Sequence, residues 1–230
     1  MQTPDFARTD LSQLVDKDLQ FLIENFPKPG RSYEEIAQLI HHLPTTLESM
    51  LNSESLFNNI RDQSLLILEI SPFLFFNVLL RRSLMDQRIL GDKKVVNYIA
   101  NLLSLFVRTD RVHRIHRDDK QTHHYLTDMI QEAANADTRR QFLIYSHIGN
   151  YSLYLTGIFP QWIEYRRRYK NRPVSAQFYI DFGREYYDRA SAHAMAREYE
   201  LGEVFFRLSI MFEVYKEALN HLAKQYLVVS

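Results

Sequence analysis

Side chains suited to ligand binding recur at helical spacing in the second half of the sequence. His147, Asn150 and Tyr154 fall at i, i+3 and i+7, so they share one face of a predicted helix at residues 138–156. Imidazole, amide and phenol groups all exchange hydrogen bonds, and the segment 142–159 around them is strongly apolar. A few polar groups in an apolar setting are typical of a small-molecule pocket.

The next predicted helix, residues 175–199, carries side chains that complement this first group. Arg184 has a planar guanidinium that binds anionic groups, and Tyr187 adds a ring that can stack on an aromatic ligand. If the two helices pack together, their polar side chains converge. The expected ligand site then comprises His147, Asn150, Tyr154, Arg184 and Tyr187. The alternative is a hydrogen-bonded core network that binds nothing.

Glycine marks the same two helices. Gly149, Gly157 and Gly183 are three of only six glycines in the 230 residues. A glycine inside a helix costs about 1 kcal/mol relative to alanine, and it is tolerated where another backbone or a ligand comes close. These positions therefore favour a close approach of the two helices around the candidate site.

A histidine-rich segment offers metal chemistry as an alternative. Six potential ligands occur close together: His113, His116, Asp118, Asp119, His123 and His124. Imidazole and carboxylate groups bind zinc, iron or manganese, but this spacing matches no established ligand pattern, and a solvated loop explains the segment equally well. Glu217 and His221 form a second such pair near the end of the chain. A helical metal-dependent enzyme is therefore a second hypothesis for the function.

A dense basic run at Arg166–Arg172 offers a third hypothesis, a regulator that contacts nucleic acid. Arginine and tyrosine together suit phosphate contact and base stacking. However, the 28 basic residues of the chain are balanced by 28 acidic residues, and nucleic-acid affinity depends on a surplus of positive charge. Nucleic acid is therefore the less favoured partner.

The composition excludes several other kinds of site. The chain has no cysteine, which excludes disulfides, iron–sulfur clusters and thiolate zinc sites. Glycine is scarce, and the sequence contains no phosphate loop, dinucleotide fingerprint or nucleophile elbow. We therefore assign no catalytic residue, metal or cofactor, and nothing in the sequence requires an enzyme.

The elements that must position these residues are helices. Apolar residues recur every three or four positions and almost never alternate, which predicts an all-α, bundle-like fold of eight to ten helices. Ser32 and Glu35 have the spacing of a capping box that begins a helix. The final helix is expected to cover residues 203–227. Further expected N-caps are Asp10, Asp92, Asp137 and Ser175.

The sequence predicts one helical domain, residues 1–230, although a charged stretch at 108–118 offers a subdomain boundary as the alternative. The most apolar segment, Leu65–Leu80, is shorter than the ~20 residues that a membrane-spanning helix needs, and Glu69 and Pro72 interrupt it. It is expected to be a buried core helix. No signal peptide is recognisable, so the expected location is the cytoplasm. Apolar stripes on many helices favour a homodimer.

Two stretches resemble a bacterial family of helical proteins of unknown function. The first reads His147-Ile-Gly-Asn-Tyr-Ser-Leu-Tyr-Leu-Thr-Gly-Ile-Phe159, and the second reads Phe178-Tyr-Ile-Asp-Phe-Gly-Arg-Glu-Tyr-Tyr187. The resemblance extends over about residues 147–187, implies a soluble bacterial protein and carries over no catalytic residue. The leading hypothesis is a module that binds a small anionic or aromatic ligand or a protein partner.

Overall fold

The computed structural model describes residues 3–25, 44–62, 70–169 and 174–227. Within these residues the chain forms helices and no strand, which confirms the predicted all-α class. The capping box at Ser32 and Glu35, residues 65–69 of the apolar segment, and residues 170–172 of the basic run lie outside the described residues.

The chain divides into two compact units. The N-terminal unit is Thr9–Ser104, and the C-terminal unit combines Met1–Arg8 with Leu105–Ser230. The boundary at Ser104 precedes the charged stretch at 108–118 that the sequence offered as a division. The expectation that residues 1–230 fold as a single domain stays a prediction.

The N-terminal unit contains five helices among its described residues. They are α1 (Asp16–Asn25), α2 (Pro44–Leu51), α3 (Glu54–Asp62), α4 (Pro72–Asp86) and α5 (Lys93–Phe106), of which α5 ends two residues beyond the unit. Buried Asp18 on α1 accepts hydrogen bonds from the backbone N–H and the hydroxyl of Ser71. Ser71 in turn accepts from the N–H of Leu74 and caps α4. This relay fixes α1 at the beginning of α4.

A buried ionic network holds α4 against its neighbours. Arg81 on α4 pairs with Glu48 on α2 at 2.7 Å, and the two side chains are only 7% and 13% exposed. The Arg81 guanidinium also donates to the side-chain oxygens of Asn77, on its own helix, and Asn97, on α5. The charged groups of Arg81 and Glu48 are thus largely removed from water, but each is paired with the other, and the guanidinium also has amide oxygens as hydrogen-bond partners.

The C-terminal unit contains eight helices in the described residues. They are α6 (Thr109–Val112), α7 (Leu126–Asn135), α8 (Thr138–Ile158), α9 (Pro160–Tyr169), α10 (Ala176–Ala192), α11 (Ala194–Glu198), α12 (Gly202–Ile210) and α13 (Phe212–Tyr226). Helix α8 is the central element, buried along most of its length, and it packs chiefly against α10 and α13. Helix α9 follows the end of α8 and contacts α8 and α10.

Residues near the beginning of the chain complete the C-terminal unit. Asp5 forms a 2.7 Å ion pair with the mostly buried guanidinium of Arg111. The ring of Phe6, which is buried, lies against that of Phe142 on α8, with 6.3 Å between the ring centroids. The unit is therefore assembled from two stretches that are far apart in sequence.

The described residues form 13 helices, more than the eight to ten expected. The predicted helix 175–199 is interrupted at His193, whose extended backbone lets its ring nitrogen accept from the N–H of Met195 and cap α11. The predicted final helix is divided at Met211, where φ is −107° and ψ is 22°. The charged stretch 108–118, which the sequence offered as a subdomain boundary, contains the short helix α6.

None of the described helices combines the length with the apolar content that crossing a bilayer demands.

Candidate functional site

The interface between α8 and α10 is built around glycine, as the sequence predicts, and aromatic rings fill the space that glycine leaves. A methyl group placed on Gly149 would lie 2.7 Å from ring carbons of Tyr187. One placed on Gly183 would lie 2.5 Å from the ring of Phe212 and 2.9 Å from the β-carbon of Ser152. Glycine is therefore needed at both positions for close helix packing.

Two of the five predicted site residues meet at this interface. The phenol of Tyr187 donates a hydrogen bond of 2.8 Å to the side-chain oxygen of Asn150. Both side chains are buried. Because each polar group supplies what the other needs, this pair is stable without a ligand.

The other three residues of the predicted site have different partners. His147, which is 3% exposed, makes a 3.1 Å hydrogen bond through Nε2 to the carbonyl of Val112. Tyr154 lies edge-on to Phe106 and Phe159, and burial raises the pKa of its hydroxyl.

Arg184 is exposed and donates to the backbone carbonyl of Ser209 on α12, at 3.3 Å. Of the predicted site residues, Asn150 and Tyr187 are thus in contact, whereas Arg184 lies on a different surface of α10.

The environment of His147 fixes its protonation state. Burial, followed by the positive charge of nearby Arg111, lowers its pKa from 6.5 to about 3. The ring is therefore neutral at physiological pH, and its Nε2–H is the donor to Val112.

We expect this histidine to make the protein sensitive to acid. Its pKa is lower in the folded chain than the ordinary 6.5, so between these two pKa values the unfolded chain binds a proton at this histidine and the folded chain does not. The contribution of His147 to the free energy of unfolding is therefore complete above pH 6.5 and is lost as the pH falls towards 3. Between pH 7 and pH 5, the free energy of unfolding should decrease by about 2 kcal/mol through this group. Urea titrations across this pH range measure the decrease.

The matched control is His147→Gln, whose amide N–H can still reach the Val112 carbonyl but does not titrate. Its free energy of unfolding should lose about 2 kcal/mol less than that of the wild type over the same pH interval. Equal losses in the two proteins would show that His147 does not carry the effect.

The histidine-rich segment is held together by hydrogen bonds and ion pairs. Buried His123 lies 3.0 Å from a carboxylate oxygen of Glu132, which also pairs with Arg140. Arg140 in turn contacts Asp119 at 2.8 Å. No three His, Asp or Glu side chains in the described ranges are arranged so that they could hold a metal ion.

Glu217 and His221, the second pair of potential metal ligands, also contact other side chains. Glu217 is exposed and contacts the ammonium of Lys216 at 2.9 Å, whereas the His221 ring lies against Tyr226. The arrangement is that of a helix surface with neighbouring opposite charges.

An open depression of about 280 Å³ lies beside the histidine-rich segment. Its lining residues are His116, Asp119, Asp137, Arg139, Arg140 and Leu143. Two of its charged groups neutralise each other, because Arg140 binds Asp119. A third, Asp137, accepts the N–H of Arg140 and so caps α8. The depression therefore presents few charges that are not already bound within the protein.

Helix α9 carries the most exposed aromatic cluster in the C-terminal unit. Trp162, Tyr165 and Tyr169 are 40%, 53% and 71% exposed. With Arg166 they fall within an arc of about 100° on the helix, given the 100° advance per residue. We call these four residues the α9 face. Exposed tryptophan, tyrosine and arginine together are characteristic of protein interfaces.

Arg166 differs from the two arginines that follow it. Its guanidinium lies over the Trp162 ring at 4.3 Å from the centroid, and it forms no ion pair within the described part of the chain. Arg167 and Arg168 both bind Glu164, and their hydrogen bonds lower the pKa of Glu164 to about 2. Of these three arginines, Arg166 is therefore the one without a carboxylate partner among the described residues, whereas Arg167 and Arg168 share the single charge of Glu164.

Two imidazoles of the histidine-rich segment lie close together. The rings of His113 and His124 are tilted by 45° to each other, with their centroids 4.3 Å apart. Burial lowers the pKa of His113, and the positive charges of His124 and Arg166 lower it further. The lowered pKa favours the neutral form of His113, so Arg166 is the main source of positive charge at this position.

The expected site did not include Trp162, Tyr165 or Tyr169, although the basic run that begins at Arg166 overlaps this face. A signal was present in the sequence, because the single tryptophan precedes Arg166 by one helical turn and the tyrosines flank it. Periodicity alone does not reveal it, since an aromatic stripe at helical spacing is more often part of a core.

Comparisons with family models, with curated proteins and with solved structures find no match to this chain. The site must therefore be interpreted from its own chemistry.

Proposed function

We propose that this protein is an interaction module whose α9 face binds an acidic segment of a partner protein. The observation that carries the proposal is the guanidinium of Arg166, which lies on the exposed Trp162 ring and has no carboxylate partner within the described residues. A carboxylate from a partner can form two parallel hydrogen bonds with such a group.

The aromatic part of the face favours a peptide chain over an isolated ion. Tyr165 and Tyr169 lie with their ring centroids 5.0 Å apart and extend the apolar surface beyond Trp162. Rigid aromatic rings supply contact area while they lose little conformational entropy, which is why they dominate binding hot spots. A partner segment with acidic residues between apolar ones would match both features.

Nucleic acid, the alternative that the basic run suggested, fits this face less well. Binding a phosphate backbone relies on many unneutralised cations, whereas Glu164 already occupies Arg167 and Arg168. The net charge of the chain is zero.

The homodimer expected from the sequence would require a different surface. Two copies that met through the α9 face would bring two Arg166 charges without carboxylate partners into one interface, and like charges placed close together are unfavourable. The proposed partner is therefore a different, acidic chain.

The test uses Trp162, which is the only tryptophan in the chain and lies within the proposed interface. We expect poly-L-glutamate to change its fluorescence at low ionic strength, and added salt to weaken the effect. Free glutamate at the same carboxylate concentration should have little effect, because it lacks the contacts of a chain. A response to free glutamate as strong as the response to the polymer would indicate a small-ligand site. A response to oligothymidylate without a response to poly-L-glutamate would favour nucleic acid.

Two variants with the same charge change make the test specific. Arg166→Gln should weaken the binding of poly-L-glutamate at least tenfold, since it removes a charge-assisted hydrogen bond. Arg168→Gln removes the same charge from a guanidinium that is already hydrogen-bonded to Glu164, so it should weaken binding far less. Equal effects of the two substitutions would contradict a specific role of Arg166.

A further inference from the structure

Leu90, in the loop between α4 and α5, is 97% exposed. The backbone on both sides of it is anchored. Arg88 has a positive φ of 57°, and the N–H of Ile89 donates to the carbonyl of Leu84 at 2.9 Å. On the other side Gly91 lies against the side chains of Leu84 and Val96. The turn therefore holds a large apolar side chain out into solvent.

Basic residues flank this leucine in the sequence. Arg88 and Lys94 are exposed, and neither forms an ion pair with any described residue. Lys93 is 65% exposed and approaches Glu48 only to 3.8 Å. The two nearby carboxylates are engaged, because Asp86 pairs with Arg82 and Asp92 accepts the N–H of Val95.

We propose that this turn binds the surface of an anionic lipid bilayer, with Leu90 inserted below the headgroups and the basic side chains on the phosphates. A protein partner would need a pocket for a single projecting leucine, whereas a bilayer accepts an apolar side chain at any point. Long basic side chains next to an inserted apolar residue reach the headgroup layer easily. Each basic residue near an anionic membrane also adds to the attraction.

The proposal does not depend on the proposed function, because it uses none of the residues of the α9 face. It also does not require a membrane-spanning helix. One leucine and three basic residues give weak, reversible association.

The experiment measures sedimentation of the full chain with vesicles of phosphatidylcholine, with and without phosphatidylserine. Phosphatidylserine should increase the bound fraction about tenfold, and Leu90→Asp should abolish the increase. Val107→Asp is the matched control, since Val107 is also an exposed apolar residue and the substitution adds the same charge. It should bind as the wild type does. No binding to phosphatidylserine, or equal losses in the two variants, would overturn the proposal.

A second measurement reports insertion directly. In a Trp162→Phe chain, Leu90→Trp places the only tryptophan of the protein at the tip of the turn. Its emission should shift to shorter wavelength with phosphatidylserine vesicles, as an indole does on leaving water. Vesicle binding without this shift would contradict insertion, and a shift with poly-L-glutamate but not with vesicles would assign the turn to an acidic protein instead.

Discussion

Replacing Arg81 with methionine should lower the free energy of unfolding by about 3–5 kcal/mol. The substitution keeps most of the side-chain volume but removes the guanidinium that neutralises Glu48 and donates to Asn77 and Asn97. Glu48, which is 13% exposed, would then lie in a largely dry environment, and the cation left beside it among the described residues would be the exposed ammonium of Lys93, 3.8 Å away. Urea denaturation followed by circular dichroism measures the loss.

The adjacent arginine provides the control. Arg82 pairs with Asp86 and is 28% exposed, so Arg82→Met should cost about 1 kcal/mol or less. Adding Glu48→Gln to Arg81→Met should recover part of the stability, because the uncompensated charge is then gone. Equal losses for Arg81→Met and Arg82→Met would show that burial of the network contributes nothing.

Replacing Gly183 with alanine should lower the free energy of unfolding by about 2 kcal/mol. Alanine normally stabilises a helix relative to glycine by up to about 1 kcal/mol, so the expected sign is opposite to that of helix propensity. The added methyl would lie 2.5 Å from the Phe212 ring and 2.9 Å from the β-carbon of Ser152. The ring can rotate, but the β-carbon is fixed by the backbone of α8, so the two helices must separate.

Gly202→Ala is the matched control for this substitution. A methyl at Gly202, the first residue of α12, would meet one carbonyl oxygen at 3.5 Å, an ordinary contact distance. We expect thermal unfolding to show no loss of stability for this variant. Similar destabilisation by both alanines would mean that the close approach at Gly183 is not the cause.

Local chemistry allowed much of the fold to be predicted from the sequence. Asp92, Asp137 and Ser175 each accept the backbone N–H of the residue three positions later, as expected of N-caps. Asp10 was wrongly expected to do the same. It accepts from Ser12 instead, in a local turn, and α1 begins at Asp16.

The interruptions at His193 and Met211 could not be predicted in the same way. Neither is a proline or a glycine, so neither carries the local signal that usually ends a helix. The break at His193 is accompanied by a cap from an imidazole, which is not one of the usual capping groups, and Met211 makes no side-chain cap.

The candidate site shows the same limit. Asn150 and Tyr187 meet because glycines allow their helices to pack closely. The positions of these glycines in the sequence predicted this close approach. Arg184 directly follows Gly183, so it is turned by about 100° from the residue that faces Phe212. Which side of α9 is exposed depends on the neighbours of that helix. For this reason the spacing of Trp162 and Arg166, although visible in the sequence, did not reveal that these residues would lie at the surface.

The pairing of Asp5 with Arg111 and of Phe6 with Phe142 has a consequence for how the chain is made. During translation, residues 3–8 emerge from the ribosome before any of residues 105–230, with which they form the C-terminal unit. Residues 9–104 emerge next and can become compact during translation, as early units generally do. The first segment must wait until α8 has been synthesised. The order in which this protein is translated therefore differs from the order in which its C-terminal unit can be assembled.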